Sequence, residues 1–186
     1  MKFKTNWIVS SLLLLGLCRT ALPASAGVTL VQDGKAVAVI VVPDAKEPNA
    51  AYAARAASVL ADHLAQMSGA HLQIRKASEL GMATVKDGTV TPEAGKVGAD
   101  ITSYVFVGNS QLARQAGYSS DGLGVGGIVV KSGPNSLGLL GSTAAGDPQT
   151  DMYAVVDCLE SLGCRYLWPG ESGKVIPHRT TVTVAS

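Results

Sequence analysis

The segment from Asp151 to Gly170 constrains the fold more than any other part of the chain. It reads D-M-Y-A-V-V-D-C-L-E-S-L-G-C-R-Y-L-W-P-G, and its first half places apolar residues at steps of three and four, the period of one helix face. Gly163 follows the last of these residues, where a glycine in the left-handed conformation commonly ends a helix. The residues from Cys164 to Trp168 then alternate as a strand does. The segment therefore predicts an amphipathic helix that runs directly into a short strand.

Two Asp-Gly pairs mark turns elsewhere in the chain. Asp33-Gly34 lies between the apolar runs 28–32 and 35–42, which is a strong signal for a β-hairpin. Residues 79–103 are rich in Gly, Thr and charge and show no sustained period, so they are expected to form a surface insertion. Asp87-Gly88 predicts a small hairpin inside this insertion.

Helix-like and strand-like patterns alternate in the remaining segments. The Ala-rich segment from Glu47 to Met67 has a helical period, with Pro48 expected in its first turn and Gly69 just after its end. Further strands are expected at 72–76, 104–107, 127–132 and 136–141 and in the tail after Arg179, and a short helix is expected at 111–115. This order predicts an α/β (α+β) fold, in which a mixed β-sheet has helices packed mainly on one face.

The first 26 residues have the features of a secretory signal peptide. Two lysines precede the apolar run 7–17, which is too short for a membrane span, and Ala24-Ser25-Ala26 is a small-x-small cleavage site. Cleavage after Ala26 would leave 160 of the 186 residues as a secreted or periplasmic chain without a membrane segment. Lipidation at Cys18 is the less favoured alternative.

The charge balance argues against a nucleic-acid partner. The chain has 15 Lys and Arg residues against 14 Asp and Glu, and removal of the three basic residues of the leader leaves 12 against 14. The surface is therefore nearly neutral, and no basic stripe is present along the sequence. A chain of this length buries a core without needing disulfides or metals.

Two cysteines, Cys158 and Cys164, remain after the leader. Export permits a disulfide, but their spacing across a helix end lies near the upper limit for a bridge. The favoured interpretation is that both are small buried apolar residues, and the disulfide stays as the alternative.

Two glycine-containing motifs resemble ligand loops. Gly122 to Gly127 matches G-x-G-x-x-G, but the dinucleotide fingerprint needs a strand before it and a helix after it, whereas a strand-like run follows here. We interpret it as a flexible turn. Gly108-Asn109-Ser110 follows a strand and opens a short helix, so Asn109 or Ser110 is expected to cap that helix rather than to hold a ligand oxygen. No cofactor is expected.

The ionisable residues show no catalytic or metal-binding pattern. The histidines His63, His71 and His178 lack the spacing of metal ligands and are expected to be solvated or structural. Asp157 and Glu160 are close on the predicted helix, but glycosidases usually take their two carboxylates from separate elements. We therefore expect helix surface charge there, with no catalytic residue and no metal site in this chain.

Arg165, Tyr166 and Trp168 form the group that we select as a candidate contact site. Two aromatic rings and a guanidinium at the end of a strand suit stacking on a sugar or packing against a partner domain. A local core edge is the third interpretation, and the residues alone leave the three open.

The same segment resembles a family signature. The stretch Y-A-V-V-D-C-L-E-S-L-G-C-R-Y-L-W-P-G looks like the pattern near the end of the N-terminal domain of bacterial alpha-glucuronidases (glycoside hydrolase family 67) and of related glycosidase-like proteins. The matching residues are Tyr153, Ala154, Asp157, Leu159, Glu160, Leu162, Gly163, Cys164, Arg165, Pro169 and Gly170. The loop Asp147 to Thr150 and the order of Tyr166, Leu167 and Trp168 depart from the family's pattern. Similar domains precede the barrel of family 20 beta-hexosaminidases.

This resemblance implies an accessory role rather than catalysis. In those enzymes the domain packs against a (β/α)8 barrel that holds the catalytic carboxylates, and a barrel of about 250 residues does not fit within this sequence. Residues 27–186 are therefore expected to be an exported accessory domain that supports or docks a glycosidase catalytic domain, in cis in the relatives and in trans here. A stand-alone carbohydrate-binding module with an oligosaccharide ligand is the alternative, and an enzyme in its own right is the least favoured.

Overall fold

The computed structural model of the chain describes residues 27–144 and 149–185. The predicted signal peptide and the loop residues Asp147 and Pro148 lie outside this part. The elements of the described part are β1 Val28–Gln32, β2 Lys35–Ala36, β3 Ala38–Val42, α1 Ala50–Ser68, β4 Ile74–Lys76, β5 Thr84–Lys86, β6 Thr89–Thr91, β7 Ser103–Val107, α2 Gln111–Gln115, β8 Ile128–Ser132, β9 Ser136–Gly141, α3 Thr150–Ser161, β10 Arg165–Tyr166, β11 Lys174–Val175 and β12 Val182–Val184, with single 3-10 turns at Ala77–Leu80 and Glu171–Gly173.

A five-stranded sheet with the order β4-β3-β7-β9-β8 forms the centre of the fold. The first four of these strands are parallel, and β8 is antiparallel to β9. Parallel strands that are covered on both faces have nearly continuous apolar sequences. β3, β7 and β9 are of this kind, and they are buried along their whole length. The mixed sheet predicted from the sequence is confirmed.

Helices cover mainly one face of this sheet, as the sequence predicts. On that face α1 and α3 pack against each other and against the sheet, and their contacts include Ile40, Leu60 and Leu159. The opposite face is covered by the short helix α2 and by residues Leu80 and Val90 of the segment before β7. Each fully buried aliphatic side chain of this kind stabilises the fold by about 1.5–3 kcal/mol.

The segment 79–103 contains the small hairpin that its Asp87-Gly88 pair predicts. β5 pairs with β6 in antiparallel fashion, and Asp87 and Gly88 have φ angles of 51° and 75°. Two consecutive positive φ angles are those of the tight turn that matches strand twist, and an Asp-Gly pair adopts them readily. Val90 of β6 is buried, so this hairpin also contributes to the core on the second face.

The first predicted hairpin is only partly correct. Asp33-Gly34 does join β1 to β2, which form a three-stranded sheet with β12. The run 35–42, however, is divided at Val37, and β3 continues into the central sheet between β4 and β7. An uninterrupted apolar run fits either one long hairpin strand or two strands in different sheets, and partners distant in sequence decide between them.

Two element boundaries also differ from the prediction. Pro48 precedes α1 rather than lying in its first turn, because the helix begins at Ala50 after Asn49, which has a φ of 61°. At the end of α1, Gly69 is left-handed with a φ of 77°, as predicted. The strand expected from Cys164 to Trp168 is limited to β10, since the chain bends away after Tyr166.

Candidate functional site

The candidate site begins where α3 ends. Gly163 has a φ of 96°, and its N–H donates to the carbonyl of Glu160 at 2.9 Å. The N–H of Cys164 reaches back to the carbonyl of Leu159 at 3.0 Å. This pair of bonds is the Schellman arrangement, which closes the helix and turns the chain sharply. β10 begins directly after this turn and pairs with β11.

The two cysteines are buried and unpaired. Both side chains are fully enclosed, and no disulfide joins them. Burial, with a smaller contribution from the nearby Asp157 carboxylate, raises the pKa of Cys158 to about 12. A thiol of this kind is unreactive, so the favoured interpretation of Cys158 and Cys164 as small apolar core residues is confirmed.

Arg165 is tied to the end of α3. One of its guanidinium nitrogens donates to the carbonyls of Glu160 and Cys164, at 2.7 and 2.6 Å. Cations near a helix C-terminus interact favourably with the carbonyls left without partners there. Of the three predicted contact residues, Arg165 therefore has an evident role in the local structure.

Tyr166 joins the hairpin of β10 and β11 to α1. Its hydroxyl lies 3.1 Å from Nε2 of His63, and the two rings meet edge to face with centroids 5.9 Å apart. Burial raises the pKa of the Tyr166 hydroxyl above its usual value. His63 is 103 residues away in sequence. The helical period of α1 places His63 on the buried side of the helix, and this was the one sequence signal available for the contact.

Trp168 is half exposed, with 55% of its surface accessible. Its indole N–H donates to Oγ of Ser172 at 3.3 Å, which orients the ring. The backbone around it is closed by a bond of 2.8 Å from the Leu167 N–H to the carbonyl of Gly173. The added Cβ of any other residue at Gly173 would stand 2.0 Å from the carbonyl oxygen of Trp168, so the turn depends on that glycine.

An exposed set of apolar side chains lies on the hairpin of β10 and β11. It consists of Tyr166, Leu167, Trp168 and Val175, whose exposed fractions are 41%, 61%, 55% and 47%, and we call it the hairpin surface. The structure thus brings the predicted residues Tyr166 and Trp168 into one hairpin with Arg165. It adds Leu167 and Val175, which sequence reasoning did not select as site residues.

A polar groove adjoins this hairpin. It has a volume of about 380 Å³ and is lined by Gln66, Glu171, Lys174, Ile176 and His178. Lys174 lies on β11 and forms an ion pair with Glu171 at 3.1 Å. The groove offers amide, carboxylate and ammonium groups, and its lining includes neither Tyr166 nor Trp168.

The other predicted residues lie apart from this surface or at its margin. Asp157 and Glu160 are exposed on α3, which agrees with helix surface charge. His71 and His178 are exposed, whereas His63 is buried and bonded. No trio of His, Cys, Asp or Glu side chains within residues 27–144 and 149–185 is placed to hold a metal ion.

The two glycine motifs have the local structures that the sequence favours. Ser110 caps α2, since its hydroxyl accepts from the N–H of Ala113 at 3.1 Å. The loop Gly122 to Gly127 leads into β8 and has no strand directly before it. Asn109 is not the capping residue of α2, because its side-chain oxygen accepts a hydrogen bond from the Arg114 guanidinium at 3.1 Å.

Asp151 is a buried ionisable residue that sequence reasoning did not select. It lies in the first turn of α3 with 5% of its surface exposed, and Oδ1 accepts from the Gly141 N–H at 2.7 Å. Burial raises the pKa of this carboxyl to about 6, and the bond from Gly141 opposes part of that rise. Acidic residues in the first turn of a helix are often exposed, so the sequence does not indicate that Asp151 is buried. The tertiary packing shows its burial.

No protein-family model matches the chain. A search of curated proteins finds no match either. Within the described residues, none of the helices combines the length and the apolar character that a membrane crossing needs.

Proposed function

We propose that the chain is an exported, non-catalytic accessory domain of a glycoside-hydrolase-like protein. In this proposal it supports or docks a carbohydrate-active catalytic barrel through the hairpin surface. The proposal rests on the signature of residues 153–170, which resembles the end of the alpha-glucuronidase N-terminal domain, and on the leader of residues 1–26, which has signal-peptide features.

The hairpin surface is the observation that carries the docking role. Tyr166, Leu167, Trp168 and Val175 are all exposed apolar residues of one hairpin. Contiguous apolar surface on a soluble domain commonly marks an interface, and Tyr and Trp are enriched among the residues that dominate binding energy. These exposed apolar side chains are therefore suited to pack against another domain.

The rigidity of the hairpin supports the same role. The Tyr166 hydroxyl is bonded to His63, the Trp168 indole to Ser172 and the Arg165 guanidinium to the end of α3. Side chains that are already held in place lose less conformational entropy when they bind. A surface prepared in this way favours a stable contact with a second domain.

Binding to a purified glycosidase barrel without its own N-terminal domain tests the proposal. Calorimetry should show micromolar binding by the wild type and at least tenfold weaker binding by the double variant Leu167→Ser, Trp168→Ala. The matched control is Met82→Ser, Val125→Ser, which removes two exposed apolar side chains elsewhere, with exposures of 85% and 69%. Equal losses in both variants, or no binding by the wild type to any such barrel, would rule out docking through the hairpin surface.

A carbohydrate-binding module is the second candidate, and two features of the hairpin favour it: the exposed Trp168 ring and a polar groove lined by Glu171 and Lys174. Aromatic rings next to amide and charged groups are the components that hold sugar rings and their hydroxyls. Trp168 is the only tryptophan after residue 26, so its fluorescence reports on this site alone. Titration with uronic acid and N-acetylhexosamine oligosaccharides should shift the emission if this candidate is correct, and an unchanged spectrum at millimolar sugar would eliminate it.

A further inference from the structure

The first turn of α3 is fastened to the end of β9 by two hydrogen bonds. Asp151 Oδ1 accepts from the Gly141 N–H at 2.7 Å, and Thr150 Oγ1 donates to the carbonyl of Ser142 at 2.8 Å. Both bonds are buried. The carboxyl group of Asp151 is therefore part of the junction between the helical layer and the central sheet.

Two glycines make room for this carboxyl group. A Cβ at Gly141 would stand 2.2 Å from the carbonyl carbon of Thr150 and 2.3 Å from the nitrogen of Asp151. A Cβ at Gly108 would stand 2.6 Å from the Cβ of Ala53 and 3.3 Å from Oδ2 of Asp151. The backbone thus closes tightly around a group that carries a negative charge when it is ionised.

No cation bonds to the Asp151 carboxylate within the described residues. On α1 the charged neighbour of the first turn of α3 is Arg55, which borders a small crevice with Gln149 and Met152. After β3, the carboxylate of Glu47 accepts from the backbone N–H of Gln111 at 3.2 Å.

The remaining neighbouring elements supply no partner either. After β7, Arg114 donates to Asn109 at 3.1 Å, and β9 has no ionisable side chain. On α3 itself Asp157 is exposed and is also acidic. A buried charge without a partner is costly, and the usual response is for the group to bind a proton instead.

We propose that the carboxyl group of Asp151 forms a pH-dependent contact between α3 and β9, which we call the clasp. The clasp stabilises the fold most when this carboxyl group is protonated. Ionisation then places an unpaired charge inside the junction and weakens it. The helix N-terminus favours the charge, but burial opposes it and is the larger effect. The clasp is independent of the proposed docking role, since it concerns the response of the fold to pH.

The direction of the effect follows from proton binding. The native pKa of Asp151, about 6, lies above the ordinary value of 3.8, so the native state holds this proton more tightly than the unfolded chain does. The stabilisation is complete below the unfolded pKa and is lost as the pH rises through the native pKa. This direction is opposite to that of carboxylates held in ion pairs.

Urea unfolding at a series of pH values tests the clasp on the purified protein. Relative to Asp151→Asn, the wild type should show an unfolding equilibrium constant that rises about 60-fold between pH 4 and pH 8. The matched control Asp157→Asn changes an exposed acid of the same helix and should follow the wild type. Parallel pH profiles for the wild type and Asp151→Asn would overturn the proposal.

A second measurement covers the case in which Asp151→Asn fails to fold. Nuclear magnetic resonance of the side-chain carboxyl carbon in the wild type should give a titration midpoint near 6 for Asp151. Exchange of the Gly141 amide, corrected for its intrinsic pH dependence, should speed up over the same range. A midpoint at or below about 3.9 would overturn the clasp, and so would protection of Gly141 that does not change with pH.

Discussion

The Tyr166 hydroxyl donates a hydrogen bond to Nε2 of His63 across 3.1 Å, and this bond links the β10–β11 hairpin to α1. The direction follows from the second ring nitrogen, since Nδ1 lies 2.7 Å from the carbonyl oxygen of Val59, which only accepts. In the neutral ring Nδ1 therefore carries the proton and Nε2 is the acceptor. A histidine inside the helical layer thus positions an aromatic residue of the hairpin surface.

Replacement of Tyr166 by Phe should loosen the hairpin while it preserves the ring. The loss of one hydrogen bond at a partly buried site is expected to lower the free energy of unfolding by about 0.5–1.5 kcal/mol. Urea unfolding measures this change, and exchange of the Leu167 amide reports on the hairpin itself. Tyr153→Phe, at a half-exposed position on α3, is the control and should leave both unchanged. Equal behaviour of the two variants would contradict the role of the His63 bond.

The two cysteines should be inert in the folded protein. Their side chains are fully buried and the pKa of Cys158 is raised to about 12, so little thiolate is present and no reagent reaches it. Ellman's reagent at about pH 8 should detect no thiol in the native, leader-free protein and two in concentrated guanidinium chloride. Rapid reaction of the native protein would contradict the packing. An unfolded, unreduced sample with no reactive thiol would show that the two cysteines pair.

Gly141→Ala should strongly destabilise the fold. The new methyl group would stand 2.2 Å from the carbonyl carbon of Thr150, and because this is a backbone atom, β9 or α3 would have to shift. Overpacking against backbone atoms is expected to lower the free energy of unfolding by about 2–4 kcal/mol. Gly124→Ala is the matched control, because a Cβ there meets nothing within 4 Å. Thermal or urea unfolding distinguishes the two, and similar stability would show that the junction is loose.

Arg165→Ala should reduce stability, because the guanidinium bonds to two carbonyls at the end of α3. The expected change is about 1 kcal/mol, since the group is exposed and only the helix-end contacts are lost. Arg75→Ala is the control, because its ion pair with Glu79 is exposed and spans 3.7 Å. Chemical unfolding of both variants measures the difference. An unchanged free energy of unfolding for Arg165→Ala would contradict this structural role.

Much of the secondary structure follows from signals that act over a few residues. The left-handed glycines Gly69 and Gly163 end their helices where the sequence predicts, and Ser110 caps α2. The turn at Asp87-Gly88 is equally local. These signals are readable because the conformational preference of a glycine or the hydroxyl of a cap depends little on the rest of the chain.

The assignment of strands to sheets was harder to predict. The apolar run 35–42 was expected to form one hairpin strand, yet the chain leaves that sheet at Val37 and β3 pairs with β4 and β7. Periodicity reports whether a residue is buried, whereas strand pairing depends on partners far along the chain. The resemblance to glycosidase accessory domains, and the contact role of Arg165, Tyr166 and Trp168, stay predictions.

The sequence by itself determined the layered α+β class, the C-terminal ends of both long helices and a strand that begins after Cys164, because periodic burial and local turn chemistry are encoded over short stretches. Only the tertiary structure decided that His63 holds Tyr166 and that Asp151 is buried at the junction of α3 and β9. Those environments arise from side chains up to 103 residues apart in the chain. Burial and the pKa values that depend on it come from the assembled packing, which no local pattern contains.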